Sequence, residues 1–296
     1  MKKLFLLSSS WCISVFASVF ANENRPNVIL IFADDQGYGD LGCFGSTKIK
    51  TPNIDRIAKQ GRKFTSFMVA SPVCTPSRAA LLTGCYPKRV GMHQHVLFPT
   101  SKKGLNPNEH TIADHLKSQG YATACFGKWH LGREPHSPLE SGFDSDLPHW
   151  WGPGPKSSYL APWGYTNPQF KEGQPGEHIE DRMAAEAVAW LKQRDRTKPF
   201  FLNYWQFSVH APFGAKPELI EHYRNKLGAS VDGLAQPEVR ERLLSSHEPF
   251  MGLPQQSPTY AAMVHSLDDA VGSLLDALDA EGIADETVII FYSDNG

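Results

Sequence analysis

Residues 28–37 read Val28-Ile29-Leu30-Ile31-Phe32-Ala33-Asp34-Asp35-Gln36-Gly37. The first five form a continuous apolar run of the length of a buried strand, and two carboxylates follow after one alanine. Three later runs, at 121–126, 199–205 and 288–292, have the same form. Polar or ionisable side chains follow each of these runs: Lys128 and His130, then His210, then Asp294 and Asn295. We therefore predict four buried strands that end in groups able to do chemistry.

Helix-like segments separate these strands. Apolar periodicity and glycine or proline boundaries predict helices over 52–60, 111–119, 181–193 and 259–280. Strands that alternate with helices indicate an α/β fold with a mostly parallel, mixed central sheet and helices on both faces. In such sheets ligands bind beyond the carboxyl ends of the strands. We therefore expect the four polar ends to converge on one site.

The overall charge excludes one class of partner. The chain has 296 residues, and its 29 Lys and Arg against 31 Asp and Glu leave a formal charge of -2. No segment gathers the basic run that a nucleic-acid binder needs. With 41% hydrophobic residues the chain is also too apolar to be disordered. We expect a globular protein that does not bind nucleic acid.

The N-terminus has the composition of an export signal. Lys2 and Lys3 precede an apolar stretch over 4–20, and Val19-Phe20-Ala21 forms a small-x-small cleavage site. The alternative is a membrane anchor, but serines at positions 8, 9, 10, 14 and 18 interrupt the stretch, which is near the short limit for spanning a bilayer. We predict a signal peptide over 1–21, export to the periplasm or outside the cell, and no stable membrane insertion.

The acidic strand ends predict a metal site. Asp34, Asp35, Asp294 and Asn295 offer only oxygen ligands, which suit calcium or magnesium rather than zinc. An isolated Asp-Asp pair is more often a turn or a helix cap. The matching Asp-Asn pair after a second strand favours the metal, because a bound cation removes the repulsion between the carboxylates.

A cysteine lies at the start of another predicted helix. Residues 71–84 read Ser-Pro-Val-Cys-Thr-Pro-Ser-Arg-Ala-Ala-Leu-Leu-Thr-Gly, with Thr75 as the predicted cap and Gly84 as the exit. Cys74 then lies at a helix N-terminus, where anions bind, and Arg78 can reach the same anion. These features alone are compatible with a thiolate nucleophile beside an anion site. Cys43, Cys85 and Cys125 are predicted to be small buried residues or one surface disulfide.

The string Cys74-Thr75-Pro76-Ser77-Arg78, with the six residues after it, closely resembles the signature of the sulfatase family. In that family the cysteine is oxidised after translation to formylglycine. The resemblance also takes in residues 26–45, 127–132 and 293–296, with His210, and it is strongest to the arylsulfatase A and N-acetylgalactosamine-6-sulfatase branch. It implies an alkaline-phosphatase-like fold for a catalytic domain over 22–296, truncated at its C-terminal end and without the family's C-terminal subdomain.

The resemblance also implies a role for each site residue. Asp34, Asp35, Asp294 and Asn295 would hold one calcium ion, and the modified Cys74 would complete its shell. Arg78 would orient the formylglycine, Lys128 would contact the sulfate, and His130 and His210 would handle protons at opposite ends of the reaction. The implied activity is hydrolysis of a sulfate monoester, of a carbohydrate or an aryl alcohol, after maturation by a formylglycine-generating enzyme.

Two other functions stay open at this point. A phosphatase or phosphodiesterase on the same scaffold would normally carry Ser or Thr at the nucleophile position and ligands for two metals. A non-catalytic binder of sulfated glycans would leave Cys74 unmodified. The aromatic residues in the Pro- and Gly-rich segment 135–176 either stack on sugar rings or pack that segment onto the sheet. His149 lies where some relatives carry a polar residue that contacts substrate.

Overall fold

A computed structural model describes residues 25–93, 100–227 and 257–295. The predicted signal peptide lies outside these ranges. The strands are β1 (Asn27–Ala33), β2 (Ala122–Gly127), β3 (Ser145–Leu147), β4 (Phe200–Trp205) and β5 (Thr287–Ser293). The helices are α1 (Pro52–Gln60), α2 (Cys74–Thr83), α3 (Ile112–Ser118), α4 (Ile179–Gln193), α5 (Pro217–Leu227) and α6 (Pro258–Ala280). Short 3-10 turns occupy Tyr38–Asp40, Gly42–Phe44, Pro138–Ser141 and Ala284–Glu286.

The strands form one sheet in the order β3-β2-β4-β1-β5. Every strand pair in the described part of the chain is parallel, so the mixed character predicted for the sheet is not seen there. Phe32 lies opposite Trp205, and Ala33 lies opposite Ser293. This register brings the carboxyl ends of β1, β4 and β5 to one level at one edge of the sheet.

Helices cover both faces of the sheet, as predicted. Ile29 and Ile31 of β1 face a core shared with α1, α4 and α6, whereas Leu30 and Phe32 face one shared with α2 and α3. Because both faces are apolar, β1 reads as an unbroken hydrophobic run rather than an alternating one. β4, between β1 and β2, is buried along its whole length.

Two details differ from the expectations, and a third agrees with them. Helix α2 begins at Cys74 with Val73 as its N-cap, so Thr75 is not the cap. The Thr75 hydroxyl donates instead to the carbonyl oxygen of His130, at 3.0 Å. Strand β3 was missed, because Ser-Asp-Leu is too short to show a pattern. Gly84 ends α2 in the left-handed conformation, as predicted.

Segment 135–176 is more ordered than a single long loop, since it contains β3 and a 3-10 turn. Tyr159 and Trp163 in this segment are buried, so packing explains them, whereas Trp150 and Trp151 are half-buried. None of the helices in the described residues has both the length and the apolar character needed to cross a membrane.

Candidate active site

Three carboxylates meet at the carboxyl edge of the sheet. Asp34 and Asp35 follow β1, Asp294 follows β5, and one oxygen from each lies within 4.8 Å of the others. Two hydrogen bonds hold the group together: the Asp294 amide donates to the Ala33 carbonyl oxygen at 3.0 Å, and the Asp35 amide donates to Asp294 Oδ1 at 3.1 Å. A donor set made only of oxygen fits a hard divalent cation.

Two other predicted ligands are placed differently. The Asn295 amide nitrogen donates to Asp294 Oδ1 at 2.6 Å, so this side chain orients a carboxylate of the group. Cys74 is not part of the carboxylate group, and its Sγ lies 3.2 Å from His130 Nδ1. The structure therefore brings the three aspartates together, with the Asn295 side chain in contact with one of them and Cys74 outside the carboxylate group.

Arg78 joins two of the carboxylates. Its Nη2 donates to Asp34 Oδ1 at 3.2 Å and to Asp294 Oδ2 at 2.8 Å, and the side chain is completely buried. The guanidinium lies over the rings of Phe32 and Trp205, 5.1 and 4.9 Å from their centroids. These aromatic faces shield the charge from water, and such contacts add a favourable cation–π interaction.

Lys128 supplies a second buried cation. Its Nζ donates to Asp34 Oδ2 at 2.5 Å. Its amide donates to the Trp205 carbonyl oxygen at 2.8 Å, which ties the end of β2 to the end of β4. The preceding Gly127 has φ +104°, and a Cβ at this position would lie 1.7 Å from the same carbonyl oxygen. Only glycine can therefore deliver Lys128 along this path.

The carboxylates differ in their electrostatics. Burial raises the pKa of Asp34 well above its usual range, and the nearby Asp294 raises it further. Lys128 and Arg78 lower this pKa, but their effect is smaller. Burial is the largest single influence on Asp294 and raises its pKa, but Arg78, Asp34, Lys128 and the Asp35 amide together outweigh it and hold the pKa of this group at about 2. Three carboxylates thus face two buried cations, and an added divalent cation would favour the ionised form of Asp34.

Cys74 is buried at the first residue of α2, beside His130. Burial raises the pKa of the Cys74 thiol above its usual value, partly offset by Lys128. A reactive cysteine needs a lowered pKa. The surroundings of Cys74 therefore disfavour an unaided thiolate nucleophile, which the sequence alone had left open.

His210 lies on the more open side of the site. Its Nε2 is 3.7 Å from Asp35 Oδ2, and the two side chains are 25% and 41% exposed. Burial and the Lys128 charge lower the pKa of the His210 imidazole, while Asp35 raises it. The completely buried Asp34, Arg78 and Lys128 lie behind this pair. A ligand would therefore approach from the side of His210.

His149 forms a separate cluster. Its two ring nitrogens lie 2.6 Å from Asp146 Oδ2 and 2.5 Å from Glu134 Oε1. The hydrogen bond to Asp146 and the negative charges of Asp146 and Glu134 raise the pKa of His149 to about 9, although burial lowers it. The loop that follows reaches His210, because a Cβ on Gly154 would be 3.9 Å from His210 Nδ1. His149 thus pairs with Asp146 and Glu134, and the loop after it lies beside His210.

Sequence reasoning missed Glu180 and Tyr159. Both hold the backbone around His210. Neither belongs to the polar strand ends or to the Cys74 motif, and the only signal is a carboxylate in the first turn of an otherwise amphipathic helix.

No cysteine forms a disulfide within the residues that the structure describes. Cys43, Cys74, Cys85 and Cys125 are all free thiols. Cys125 is buried, whereas Cys43 and Cys85 are half-buried. Of the two predicted alternatives for Cys43, Cys85 and Cys125, a surface disulfide is therefore wrong.

Comparison with known proteins identifies the class. The family model for Sulfatase matches residues 26–296, so the chain belongs to the sulfatase family. Arylsulfatase A of Homo sapiens is 36% identical over 95% of this chain and 54% of its own length. N-acetylgalactosamine-6-sulfatase of Rattus norvegicus is 34% identical over 92% of this chain and 50% of its own. The chain thus spans about half the length of these curated relatives.

Solved structures agree with the fold. A crystal structure of Ps i-CgsB in complex with k-i-k-neocarrahexaose is 32% identical, with a TM-score of 0.74 over 92% of this chain and 59% of that chain. A phosphonate monoester hydrolase of Agrobacterium radiobacter, at 23% identity and a TM-score of 0.61, shares the fold alone.

Proposed function

We propose that this chain is the catalytic portion of a sulfuric ester hydrolase that releases inorganic sulfate through a formylglycine made from Cys74. The observation that carries the proposal is the position of Cys74. It lies at the first residue of α2, beside His130 and one helical turn from Arg78, which itself contacts two of the clustered carboxylates. The raised pKa of this thiol gives an unmodified cysteine little nucleophilic character at neutral pH.

The metal proposed for the site is one calcium ion. Asp34, Asp35 and Asp294 would hold it, with Asn295 and the modified residue 74 as further ligands. When bound, such a cation supplies positive charge that stabilises negative charge developing on sulfate oxygens.

The surrounding side chains would divide the remaining work. A hydrated aldehyde at position 74 supplies a hydroxyl in place of the thiol. Arg78 would orient that residue, and Lys128 would contact the sulfate. His130, 3.2 Å from Cys74 Sγ, would accept a proton at this end. His210, on the open side, would donate a proton to the leaving alcohol.

The substrate proposed is a sulfated carbohydrate, with an aryl sulfate as the alternative. One relative is named N-acetylgalactosamine-6-sulfatase, and a structural neighbour was solved with k-i-k-neocarrahexaose. The half-buried Trp150 and Trp151, whose ring centroids are 5.5 Å apart, belong to the segment that reaches His210 and could contact a sugar. We also propose that residues 1–21 direct export and that a formylglycine-generating enzyme matures the chain.

A phosphatase is the second candidate. Within the described residues one group of possible metal ligands occurs, the three carboxylates, whereas a two-metal phosphatase site needs further Asp and His ligands. A sulfate monoester carries less negative charge than a phosphate monoester at neutral pH, which suits one metal with Arg78 and Lys128. A non-catalytic glycan binder would differ in leaving Cys74 unmodified.

The test uses the full-length protein co-expressed with a formylglycine-generating enzyme. The tryptic peptide with residue 74 should show the mass of the aldehyde and react with a hydrazide. The matured protein should release sulfate from a sulfated saccharide faster than phosphate from the matching phosphoester. Cys74→Ala, the control, should lower sulfate release by more than about 10³-fold. Equal or faster phosphate release would sink the proposal, and an unmodified thiol would favour the binder.

A further inference from the structure

The backbone turn after β4 carries His210 and also contacts Asp34. The Asp34 amide donates to the Ser208 carbonyl oxygen at 2.9 Å, and the Val209 amide donates to the Asp34 carbonyl oxygen at 2.6 Å. The His210 amide donates to the Phe207 carbonyl oxygen at 3.3 Å. Any shift of this turn therefore moves a proposed metal ligand and a proposed proton donor together.

A buried carboxylate from α4 holds this turn. Glu180, in the first turn of that helix, is completely buried, and its Oε1 accepts from the Phe207 amide at 2.9 Å and the Ser208 amide at 2.7 Å. Tyr159 adds to the hold, since its hydroxyl lies 2.7 Å from the carbonyl oxygens of both Phe207 and His210. Hydrogen bonds to an ionised acceptor are about twice as strong as neutral ones.

Burying this carboxylate has a cost. Burial raises the pKa of Glu180 to about 7, although the amides of Ser208 and Phe207 oppose the shift. A residue that only filled space here could be apolar, without this cost. What the carboxyl group provides that an apolar side chain could not is its two hydrogen bonds to the backbone amides of Phe207 and Ser208.

We propose that Glu180 is a positioning residue, which with Tyr159 fixes the turn so that His210 faces Asp35 on the open side of the site. The role of His210 rests on the proposed function, whereas the hold on the turn rests on the geometry alone. A displacement of about 1 Å in a reacting group lowers the rate by up to about 10²-fold. Loss of Glu180 should therefore impair the step that depends on His210 more than the remaining steps.

The experiment compares two sulfate esters on the matured full-length protein: a nitrophenyl sulfate, whose leaving group needs little protonation, and a sugar sulfate, whose alcohol needs it. Glu180→Ala should lower kcat on the sugar sulfate by about 10–100-fold, with a smaller loss on the nitrophenyl sulfate and little change in KM. Glu180→Gln keeps an acceptor oxygen and should restore most of the loss. Asp181→Asn, the control, removes the neighbouring carboxylate that pairs with Lys216 at 3.0 Å, and should change neither rate.

A second measurement does not depend on turnover. The His210 imidazole resonances, assigned by comparison with His210→Gln, should shift in Glu180→Ala at fixed pH and remain in place in Glu180→Gln and Asp181→Asn. Tyr159→Phe should also lower kcat more on the sugar sulfate than on the nitrophenyl sulfate, but by a smaller factor. If Glu180→Ala does not fold, the Tyr159→Phe result tests the positioning of the turn in its place. Equal losses on both esters, no rescue by a folded Glu180→Gln, or unmoved resonances would overturn the positioning role. If the wild type hydrolyses neither ester, the proposed function fails while the resonances still test Glu180.

Discussion

Asp34 is the most heavily constrained residue of the site. Lys128 and Arg78 each contact one of its carboxylate oxygens, and its amide and carbonyl both bind the turn that carries His210. Removing one partner from a buried ion pair commonly costs several kcal/mol, because the other charge stays buried without compensation. Arg78 and Lys128 therefore have a structural role here in addition to any contact with substrate.

Asp35 provides a cleaner test of the metal. Arg78 contacts Asp34 and Asp294, and in the described part of the chain the ionic partner of Asp35 is His210, at 3.7 Å. Asp35→Asn should lower the calcium affinity at least about tenfold, which corresponds to a loss of about 1.4 kcal/mol in the free energy of binding. Without calcium the same change removes one of three mutually repelling carboxylates, so thermal stability should stay equal or rise.

Calorimetric titration with calcium and melting in chelator would measure both effects of Asp35→Asn. Asp144→Asn is a matched control. The Asp144 carboxylate is 46% exposed and pairs with Lys117, 2.7 Å from its Nζ, and it does not belong to the group of three carboxylates. Unchanged calcium affinity in Asp35→Asn, or zinc rather than calcium in the purified protein, would refute this metal site.

At the scale of elements, α4 begins with a histidine cap. His178 Nδ1 accepts from the Glu180 amide, and its Nε2 lies 3.3 Å from the Gly214 carbonyl oxygen, a pattern that requires the neutral ring. Burial lowers the pKa of His178 from 6.5 to about 4, with Asp181 opposing the shift and Lys216 adding to it. A protonated ring could not accept from the Glu180 amide.

The His178 cap predicts a pH-dependent stability. The pKa of His178 is lower in the folded than in the unfolded protein, so the unfolded state takes up the proton first as the pH falls. The contribution of His178 to the free energy of unfolding is therefore complete above about pH 6.5 and is lost as the pH falls toward 4. His178→Asn can still cap the helix but does not titrate. Between pH 7 and 4, urea unfolding of the wild type should lose about 2–3 kcal/mol more than that of His178→Asn. Parallel curves for the two proteins would contradict this cap.

At the scale of the whole molecule, the sheet has one protected and one exposed region. β4 is buried throughout, whereas Val288 and Ile290 of β5 are 45% and 44% exposed. A mostly apolar groove of about 1030 Å³ lies between β5 and the segment before α2, where Phe67 and Met68 are 58% and 87% exposed. Apolar surface of this kind is prone to association.

This difference predicts a pattern of amide exchange in the 296-residue chain. The amides of β4 should exchange only on global unfolding, because strands flank them on both sides. β5 pairs only with β1 among the described residues, so its amides that point away from β1 should exchange orders of magnitude faster. Hydrogen–deuterium exchange followed by NMR would measure this, with β1 as the internal control. Uniform protection along β5 would instead reveal a partner on its outer edge.

Much of this organisation could be predicted from the sequence. The apolar runs of β1, β2, β4 and β5 are long enough to identify strands, and parallel pairing brings their carboxyl ends to one edge whatever the order of the strands. The meeting of Asp34, Asp35 and Asp294 follows from this topology. The Cys74 motif is local, so its helix and its family resemblance could also be predicted.

The sequence by itself thus determined the fold class and the family, and it identified the polar groups that follow the strands. The tertiary structure alone decided how these groups pair: Arg78 bridges two carboxylates, Cys74 contacts His130 rather than the carboxylates, and Glu180 holds the turn before His210. The physical reason is that local patterns report which face of an element is apolar and where it ends. Contacts between residues far apart in the chain depend instead on strand register and on the path of the turns, which many distant side chains set together.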